Sequence, residues 1–284
     1  MIVTRFAPSP TGFLHLGHAC AALTAFEAGD RFLLRIEDID ITRCRPEFEK
    51  EIYEDLRWLG LVWEEPVRRQ SEHFVDYARA LRQLESLGLL YPCFCTRKEI
   101  AHQIARAGLA PTAAELSPEG PLYPGTCRTL TAEMRNQRMA RGDAYALRLD
   151  VTKARERIGP ELMFEEGGRG PQGETGPQTA RPELLGDVVL ARKELPTSYH
   201  LAVVVDDALQ GISLVTRGED LFPATHIQRL LQALLDLPVP AYAHHRLILD
   251  QAGRKFSKRD RAATLSSLRE AGATPHSVRI LIGF

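Results

Sequence analysis

The sequence has no apolar run long enough to cross a lipid bilayer, and its N-terminus enters a predicted strand without the apolar segment of a secretory signal. Positive charge is not in excess either, because 36 lysines and arginines stand against 37 acidic residues, which gives a net charge of −1. This balance excludes the global basic field of nonspecific nucleic-acid binders, so any RNA contact must come from local patches. We therefore predict a cytoplasmic protein with no membrane partner.

Cysteine is scarce, with only five residues in 284. An odd number of cysteines in an intracellular chain argues against a disulfide framework and directs attention to metal spacing. Cys93 and Cys95 share one turn sequence, and Cys127 ends a second, Tyr-Pro-Gly-Thr-Cys. Because zinc takes thiolates tetrahedrally, and two cysteines one residue apart can reach the same ion, these three are candidate zinc ligands. Three buried or free thiols are the alternative.

The stretch from Arg5 to Ala19, Arg-Phe-Ala-Pro-Ser-Pro-Thr-Gly-Phe-Leu-His-Leu-Gly-His-Ala, predicts a strand that passes through a Pro/Gly turn into a helix. The first N–H groups of such a helix lack internal partners, which makes the turn suited to hold a phosphate. His15 and His18 lie on either side of Gly17, where a ligand can approach the backbone and the imidazoles can donate hydrogen bonds. Two surface histidines on a loop are the alternative, since single motifs often mislead.

Glu37 directly follows a predicted buried strand, Arg31 to Ile36. The apolar run from Ser198 to Val205, which leads into Asp206 and Asp207, predicts a central parallel strand. Acidic residues at the carboxyl ends of such strands face the ligand crevice of an open α/β sheet. We therefore expect Glu37 to meet a cationic group, with a solvated acidic turn as the alternative.

Arg217 follows another predicted strand, Ile212 to Thr216. An arginine in this place can take a carboxylate in a two-bond fork that lysine cannot reproduce. The alternative is a structural ion pair with Glu219 or Asp220. In contrast, residues 166 to 182 are rich in Gly, Pro, Gln and Thr and predict a mobile loop, to which we assign no function.

His15-Leu16-Gly17-His18, together with Lys255-Phe256-Ser257-Lys258-Arg259, resembles the HIGH and KMSKS motifs of class I aminoacyl-tRNA synthetases. A solvated basic loop is the alternative for the lysines. Further segments resemble the glutamyl branch of that family in the same order: Arg5-Phe-Ala-Pro-Ser-Pro-Thr-Gly12, Arg35-Ile-Glu-Asp38, Tyr199-His-Leu-Ala202, Val205-Asp-Asp207 and Arg217-Gly-Glu219. The resemblance covers nearly the whole chain.

The resemblance implies an α/β fold with a Rossmann-like parallel-sheet catalytic domain and an inserted zinc-containing α/β subdomain of the acceptor-binding type. The expected division is residues 1–90 and 185–240 for the two catalytic halves, 91–184 for the insertion, and 241–284 for the KMSKS loop and a helical segment. Because the sequence ends 25 residues after Arg259, we expect no anticodon-binding domain. In this short length and in its Cys-x-Cys and Tyr-x3-Cys spacings, the sequence resembles the glutamyl-queuosine tRNA(Asp) synthetases.

That family implies activation of glutamate with ATP and Mg²⁺ in the absence of tRNA, and transfer of glutamate to the queuosine base in the anticodon of tRNA-Asp. A monomer is expected. One alternative is a shortened enzyme that charges the 3′ end of tRNA-Glu. Another is a catalytically idle, zinc-bearing RNA-binding module.

The resemblance also implies roles for individual residues. Glutamate binding is expected of Arg5, Ala7, Ser9, Glu37, Tyr199 and Arg217. ATP binding is expected of His15, Gly17, His18 and Lys258. Catalysis, through stabilisation of the charge that develops in the reaction, is expected of His15, His18, Lys255 and Lys258. The implied zinc ligands are Cys93, Cys95, Tyr123 and Cys127, with the phenolate of Tyr123 held by the charge of the metal. The loop between Cys95 and Tyr123 is longer than is usual in the family, which costs little closure entropy.

Overall fold

The structure is a computed structural model that describes residues 1–106, 116–117, 120–249 and 264–284. The strands are β1 (Val3–Phe6), β2 (Arg31–Ile36), β3 (Glu64–Arg69), β4 (Leu90–Cys93), β5 (Leu116–Ser117), β6 (Gly120–Pro121), β7 (Ala146–Leu149), β8 (Met163–Glu166), β9 (Gly176–Thr179), β10 (Val189–Ala191), β11 (Leu214–Gly218) and β12 (Ala241–His245). The helices are α1 (Leu16–Ala28), α2 (Pro46–Trp58), α3 (Phe74–Ser86), α4 (Arg97–Arg106), α5 (Ala132–Ala140), α6 (Val151–Ile158), α7 (Tyr199–Leu209), α8 (Phe222–Leu234), α9 (Leu265–Glu270) and α10 (Pro275–Ile282).

The main sheet is largely parallel, as the predicted α/β class requires. In one part of the sheet, β2 lies between β1 and β3, and all three strands are parallel. In the other part, β11, β12 and β8 are parallel in that order, and β9 runs antiparallel to β8. The two parts adjoin because the Ser213 N–H donates to the Val3 carbonyl at 3.0 Å. The strand order therefore reverses between β1 and β11, and a crevice opens at the carboxyl ends of strands at such a point.

The apolar core covers both faces of this sheet. One cluster of buried side chains includes residues of α7 and α8, among them Leu201, Val204 and Leu230. The second includes residues of α1, α2 and α10, among them Leu23 and Ile52. Helices thus pack on both faces of the sheet around β1 and β11, so a ligand is expected at the strand ends.

The predicted strand at Ser198 to Val205 is wrong, because these residues begin α7, whose N-cap is Ser198. Every residue from His200 to Asp207 is buried. A helix enclosed on all sides carries the same continuous apolar run as a central strand, so periodicity does not separate the two. Asp206 and Asp207 consequently lie in the last turns of a helix, where they contact buried arginines, and not at the tip of a strand.

The predicted mobile loop at residues 166 to 182 is also wrong in part. Glu166 ends β8, and β9 returns alongside it with Met163 opposite Thr179. Gly176 begins the return strand at a φ of +71°, a conformation that glycine adopts without strain. Glu166 is only 1% exposed, so this segment places a carboxylate inside the protein.

The smaller sheet is antiparallel, with β7 between β10 and β4. It carries Cys93 at the end of β4, and β5 and β6 form a separate short hairpin. The division of the chain into 1–90, 91–184, 185–240 and 241–284 stays a proposal. In the structure, β8 and β9 of the expected insertion lie beside β12 of the main sheet, and β10 of the second expected catalytic half pairs with β7 of the smaller sheet. In the part of the chain that the structure describes, no helix combines the length and apolar character that crossing a membrane requires.

Candidate active site and metal centre

A cavity of about 560 Å³ opens at the carboxyl ends of β1 and β11 and the start of α1. Its volume lies within the range of small-molecule sites. Its walls include nine of the residues singled out in the sequence: Arg5, Ala7, Ser9, His15, Gly17, His18, Glu37, Tyr199 and Arg217. Of the residues expected to bind glutamate or ATP or to take part in catalysis, the other two, Lys255 and Lys258, lie outside the described residues. Four distant parts of the chain therefore contribute to one site.

The two histidines form the cap of α1. The Nδ1 atom of His15 accepts the Gly17 N–H at 3.1 Å, and the Nδ1 atom of His18 accepts the His15 N–H at 3.2 Å. Because each Nδ1 is an acceptor, each neutral ring carries its proton on Nε2. A Cβ at Gly17 would lie 3.1 Å from the His15 ring, so glycine suits this packing.

The described residues that flank the predicted lysine motif lie near the same histidines. Ile248 lines the cavity. Thr264 forms a β-bridge with His15, and the Leu265 N–H donates to the Leu14 carbonyl at 2.8 Å. Thr264 and Leu265 therefore lie beside the histidine turn, and Ile248 lines the cavity that the histidines also line.

Arg217 is 5% exposed and is held by uncharged groups. Its Nη2 atom donates to Thr225 Oγ1 at 2.6 Å and its Nη1 atom to Gln228 Oε1 at 2.8 Å. Its Nε atom donates to His244 Nε2 at 3.1 Å, and Nη1 lies 3.5 Å from the Tyr199 hydroxyl.

The alternative of an ion pair between Arg217 and a neighbouring carboxylate is wrong, because neither Glu219 nor Asp220 pairs with it among the described residues. A buried guanidinium whose donors meet neutral acceptors keeps its positive charge for a ligand. The arrangement is therefore suited to bind a carboxylate.

Sequence reasoning missed the residues that hold Arg217. Thr225 and Gln228 lie three positions apart on α8 and both are buried. Polar residues on the buried face of an amphipathic helix are unusual, and this was the available signal. His244 carried no signal, because its role depends on the register that places it beside Arg217 between β11 and β12.

A buried ion network lies beneath the cavity. Asp207 accepts from Arg5 Nε at 2.9 Å and from Arg35 Nη1 at 2.7 Å. Burial alone would raise the pKa of Asp207, but the two guanidinium groups hold that pKa below its ordinary value. Arg5 and Arg35 are thus fixed by a carboxylate of α7, so the cavity floor is rigid.

Glu37 accepts a hydrogen bond from Arg35 Nη2 at 3.2 Å and is 9% exposed. Burial raises the pKa of Glu37, although the charges of Arg35 and Arg5 oppose this shift. A cationic ligand group at Glu37 would stabilise the carboxylate further. The cavity therefore offers a negative group at Glu37 and a positive group at Arg217 to one zwitterionic ligand.

The three cysteines converge. The Sγ atoms of Cys93, Cys95 and Cys127 all lie within 4.8 Å of one another, and those of Cys95 and Cys127 are 3.5 Å apart. A tetrahedron with zinc–sulfur bonds of about 2.3 Å has edges of about 3.8 Å. The cluster can bind a metal ion such as zinc.

The hydroxyl group of Tyr123 lies beside the three sulfurs. Its hydroxyl oxygen lies 3.4 Å from Cys93 Sγ and 3.7 Å from Cys95 Sγ, and it accepts the Cys127 N–H at 2.8 Å. Burial raises the pKa of Tyr123, and so does its hydrogen bond with Cys93. A nearby cation is therefore required for a phenolate here, and three sulfurs with this oxygen fit the donor set of a four-coordinate metal.

A second cavity, of about 680 Å³, lies between the cysteine cluster and the first cavity. Tyr199 lines both, and it also lines a smaller cavity of about 140 Å³ together with Ser9, Glu37 and Arg192. The basic residues of the second cavity are Arg97, Arg148, Arg192 and Lys193. Its acidic residues are Asp187 and Glu194, so basic groups outnumber acidic ones in this lining, although the whole chain is nearly neutral.

Comparisons with known proteins agree with this geometry. Residues 1–282 match the family described as "tRNA synthetases class I (E and Q), catalytic domain". A glutamyl-Q tRNA(Asp) synthetase of Rhodobacter capsulatus is 50% identical over 99% of this chain and 100% of its own length. A glutamate tRNA ligase of Methylococcus capsulatus is 40% identical over 98% of this chain and 57% of its own length.

The fold is also similar to a crystal structure of a glutamate tRNA ligase from Elizabethkingia meningosepticum in complex with its amino acid. The TM-score is 0.72 at 29% identity, over 91% of this chain. The matched part is 52% of that protein, so the chain spans about half the length of this solved relative.

Proposed function

The chain belongs to the class I tRNA synthetases of the glutamate and glutamine type, and among them to the glutamyl-Q tRNA(Asp) synthetases, and from this premise we propose that it activates L-glutamate with ATP and transfers it to queuosine in tRNA-Asp. As a member of that family it is a ligase. The observation that carries the proposal is the Arg217 guanidinium, which is buried in the first cavity and bound by uncharged groups.

In this proposal the side-chain carboxylate of glutamate binds Arg217, and its α-ammonium group binds Glu37. Arg5, Ala7, Ser9 and Tyr199 complete the binding surface, and Arg5 is held for this purpose by Asp207. A glutamine amide cannot neutralise the charge of Arg217. The site therefore favours glutamate over glutamine.

The first chemical step joins an oxygen of the α-carboxylate to the α-phosphorus of ATP, while the bond from that phosphorus to the bridging oxygen breaks and pyrophosphate leaves. His15 and His18 donate from Nε2 to the negative charge that develops, and Lys255 and Lys258 are predicted to do the same. Mg²⁺ enters with ATP. Most of the rate comes from positioning and electrostatic stabilisation, since no covalent intermediate with the protein forms.

In the second step a hydroxyl oxygen of the queuosine cyclopentenediol forms a bond to the activated carbonyl carbon, and the bond from that carbon to the phosphate oxygen breaks. AMP leaves with the bonding electrons, and its phosphate takes up the hydroxyl proton. The second cavity is the proposed entrance for this acceptor, because Tyr199 separates it from the glutamate site and its basic residues can contact phosphates. In the proposed metal centre, zinc bound by Cys93, Cys95, Tyr123 and Cys127 holds the wall of this entrance and takes no part in either step.

The proposal is tested with radioactive glutamate and three RNAs: tRNA-Asp with queuosine, the same tRNA without queuosine, and tRNA-Glu. We expect labelling of the queuosine-containing tRNA alone. Labelling of both tRNA-Asp forms would discard queuosine as the acceptor. Labelling of the 3′ end of tRNA-Glu would favour the charging enzyme, and absence of glutamate-dependent pyrophosphate exchange without RNA would favour an idle binding module. A monomer in the cytoplasm is part of the same proposal.

Replacement of Arg192 and Lys193 together by alanine is expected to weaken transfer to tRNA roughly tenfold and to reduce the slope of log affinity against log salt by about two, one for each lost phosphate contact. Pyrophosphate exchange should fall much less. The matched control replaces Lys153 and Arg157, two exposed basic residues of α6 that line neither cavity. Equal losses in the two double variants would contradict the proposed entrance.

A further inference from the structure

Three buried side chains on adjacent strands form a continuous hydrogen-bonded series next to the first cavity. Glu166 Oε2 lies 2.5 Å from His244 Nδ1, and His244 Nε2 lies 3.1 Å from Arg217 Nε. The side chains of Glu166 and His244 are 0% exposed. Their strands β8, β12 and β11 are neighbours in the main sheet, with Arg217 directly opposite His244.

The donors and acceptors of this series allow one arrangement of protons. Glu166 Oε1 accepts two backbone N–H groups, those of His244 and Gly168, each at 2.9 Å. The other carboxylate oxygen accepts the proton on His244 Nδ1. A neutral imidazole then has its lone pair on Nε2, which faces the Nε–H of Arg217, a group that can only donate.

The electrostatics of the series agree with this arrangement. Burial lowers the pKa of His244, and the charge of Arg217 adds to this effect although the hydrogen bond with Glu166 opposes it. Burial would raise the pKa of Glu166, but the hydrogen bonds from His244 outweigh burial and lower it. At neutral pH the series is therefore carboxylate, neutral imidazole and guanidinium.

The neutral ring has a consequence for Arg217. A carboxylate in direct contact would occupy the guanidinium and compete with a ligand for it. His244 instead accepts from the Nε–H of Arg217, with Thr225 Oγ1 also 3.5 Å from the same ring nitrogen, and keeps the charge of Glu166 one residue away. Thr225 and Gln228 hold the two terminal nitrogens of Arg217. The guanidinium is thus fixed in orientation and yet keeps its charge.

We propose that Glu166 and His244 are positioning residues for amino-acid recognition: Glu166 selects the tautomer of His244, and His244 orients Arg217 toward the side-chain carboxylate of glutamate. This inference rests on the proposed function of the first cavity. It gives a role to a segment whose composition predicted only a loop.

The decisive variant is Glu166→Gln, which has the same shape. The amide oxygen of the new side chain would take the place of Oε1 between two backbone N–H donors, so the amide NH₂ would face His244 Nδ1. The ring would then shift its proton to Nε2, and two donors would meet at Arg217. We expect KM for glutamate in pyrophosphate exchange to rise about 10- to 100-fold, the loss typical of a hydrogen bond to a charged group.

The same variant should leave KM for ATP unchanged, and the preference for glutamate over glutamine should fall. The matched control is Glu165→Gln, which removes the same charge from the exposed face of the same strand and should behave as the wild type. Nitrogen NMR of histidine-labelled protein gives a readout independent of activity. The His244 proton is expected on Nδ1 in the wild type and on Nε2 in Glu166→Gln.

A second pair of variants decides the matter if Glu166→Gln folds poorly. His244→Ala should raise KM for glutamate, and His244→Gln should restore part of the loss, because its amide oxygen can accept from Arg217 Nε. Equal rises in KM for glutamate and ATP, no rescue by glutamine, or an unchanged tautomer would overturn the inference. Failure of the proposed function is distinct, since the wild type itself would then show no glutamate-dependent exchange.

Discussion

Replacement of Arg217 by glutamine is expected to lower kcat/KM for glutamate in pyrophosphate exchange by roughly a thousandfold, because removal of one partner from a buried charge pair costs about 3–5 kcal/mol. In the free protein the guanidinium is buried and every partner that it contacts in the described part of the chain is uncharged. Its charge is thus the feature that distinguishes a carboxylate from an amide. The measurement is steady-state exchange with glutamate and with glutamine as competing substrates.

The Arg217→Lys variant separates the effect of the positive charge at this position from the effect of the guanidinium geometry. Lysine keeps the positive charge but cannot donate at once toward Thr225, Gln228 and His244, so its ammonium group loses its fixed orientation. We expect partial activity with a raised KM for glutamate. The matched control is Arg229→Lys, a half-buried arginine that lies outside the first cavity and donates to the Met163 carbonyl. Arg217→Gln with unchanged kinetics would contradict the assignment of the cavity.

Removal of the metal is expected to have the second large effect. We expect the purified protein to hold about one zinc ion per chain and Cys95→Ser to lose it, because a structural zinc site contributes on the order of 10 kcal/mol to the folding of the segments that it joins. Those segments are the turn at Cys93 and Cys95 and the turn from Tyr123 to Cys127. Elemental analysis and thermal unfolding with and without a chelator measure both effects.

Measurements of exchange and of transfer on the zinc-free protein should distinguish the roles of the two cavities. The cysteine cluster borders the second cavity, whereas the first cavity is built on the main sheet. Loss of zinc should therefore reduce transfer to tRNA far more than pyrophosphate exchange. Cys44→Ser is the control for zinc content, since Cys44 lies outside the cluster.

Tyr123→Phe tests the fourth ligand separately. The variant should still bind zinc through three thiolates but release it to a chelator more readily, because the phenolate oxygen is lost. Full retention of zinc against the chelator would remove Tyr123 from the ligand set and leave the cysteines in place. Absence of zinc from the wild-type protein would discard the metal centre.

Several elements were predictable because local chemistry determines them. Arg31–Ile36 is the predicted strand, residue for residue. The turn from Arg5 to Ala19 contains proline and glycine at positions that neither helix nor strand tolerates, so its path from β1 into α1 follows from the sequence. Membership in the class I family is confirmed. The described residues that the family's motifs indicated for glutamate and ATP binding line the first cavity.

The helix at Tyr199–Leu209 shows where local reasoning fails. Burial on every side removes the alternation of polar and apolar residues on which periodicity depends, so a buried helix and a buried strand have the same appearance in sequence. The error also misplaced Asp207, which holds Arg5 and Arg35 from the last turn of that helix. Nine of the residues expected at the site thus line one cavity, but the helical carboxylate that holds Arg5 and Arg35 was missed.

The sequence by itself determined which segments form the histidine turn, which cysteines are candidate metal ligands, and to which family the chain belongs. Only the tertiary structure decided what surrounds Arg217. Glu166 and His244 are separated by 78 residues, and His244 and Arg217 by 27. Their hydrogen bonds exist because strand register brings β8, β12 and β11 together, and register over such distances depends on packing of the whole sheet, which no local pattern of residues encodes.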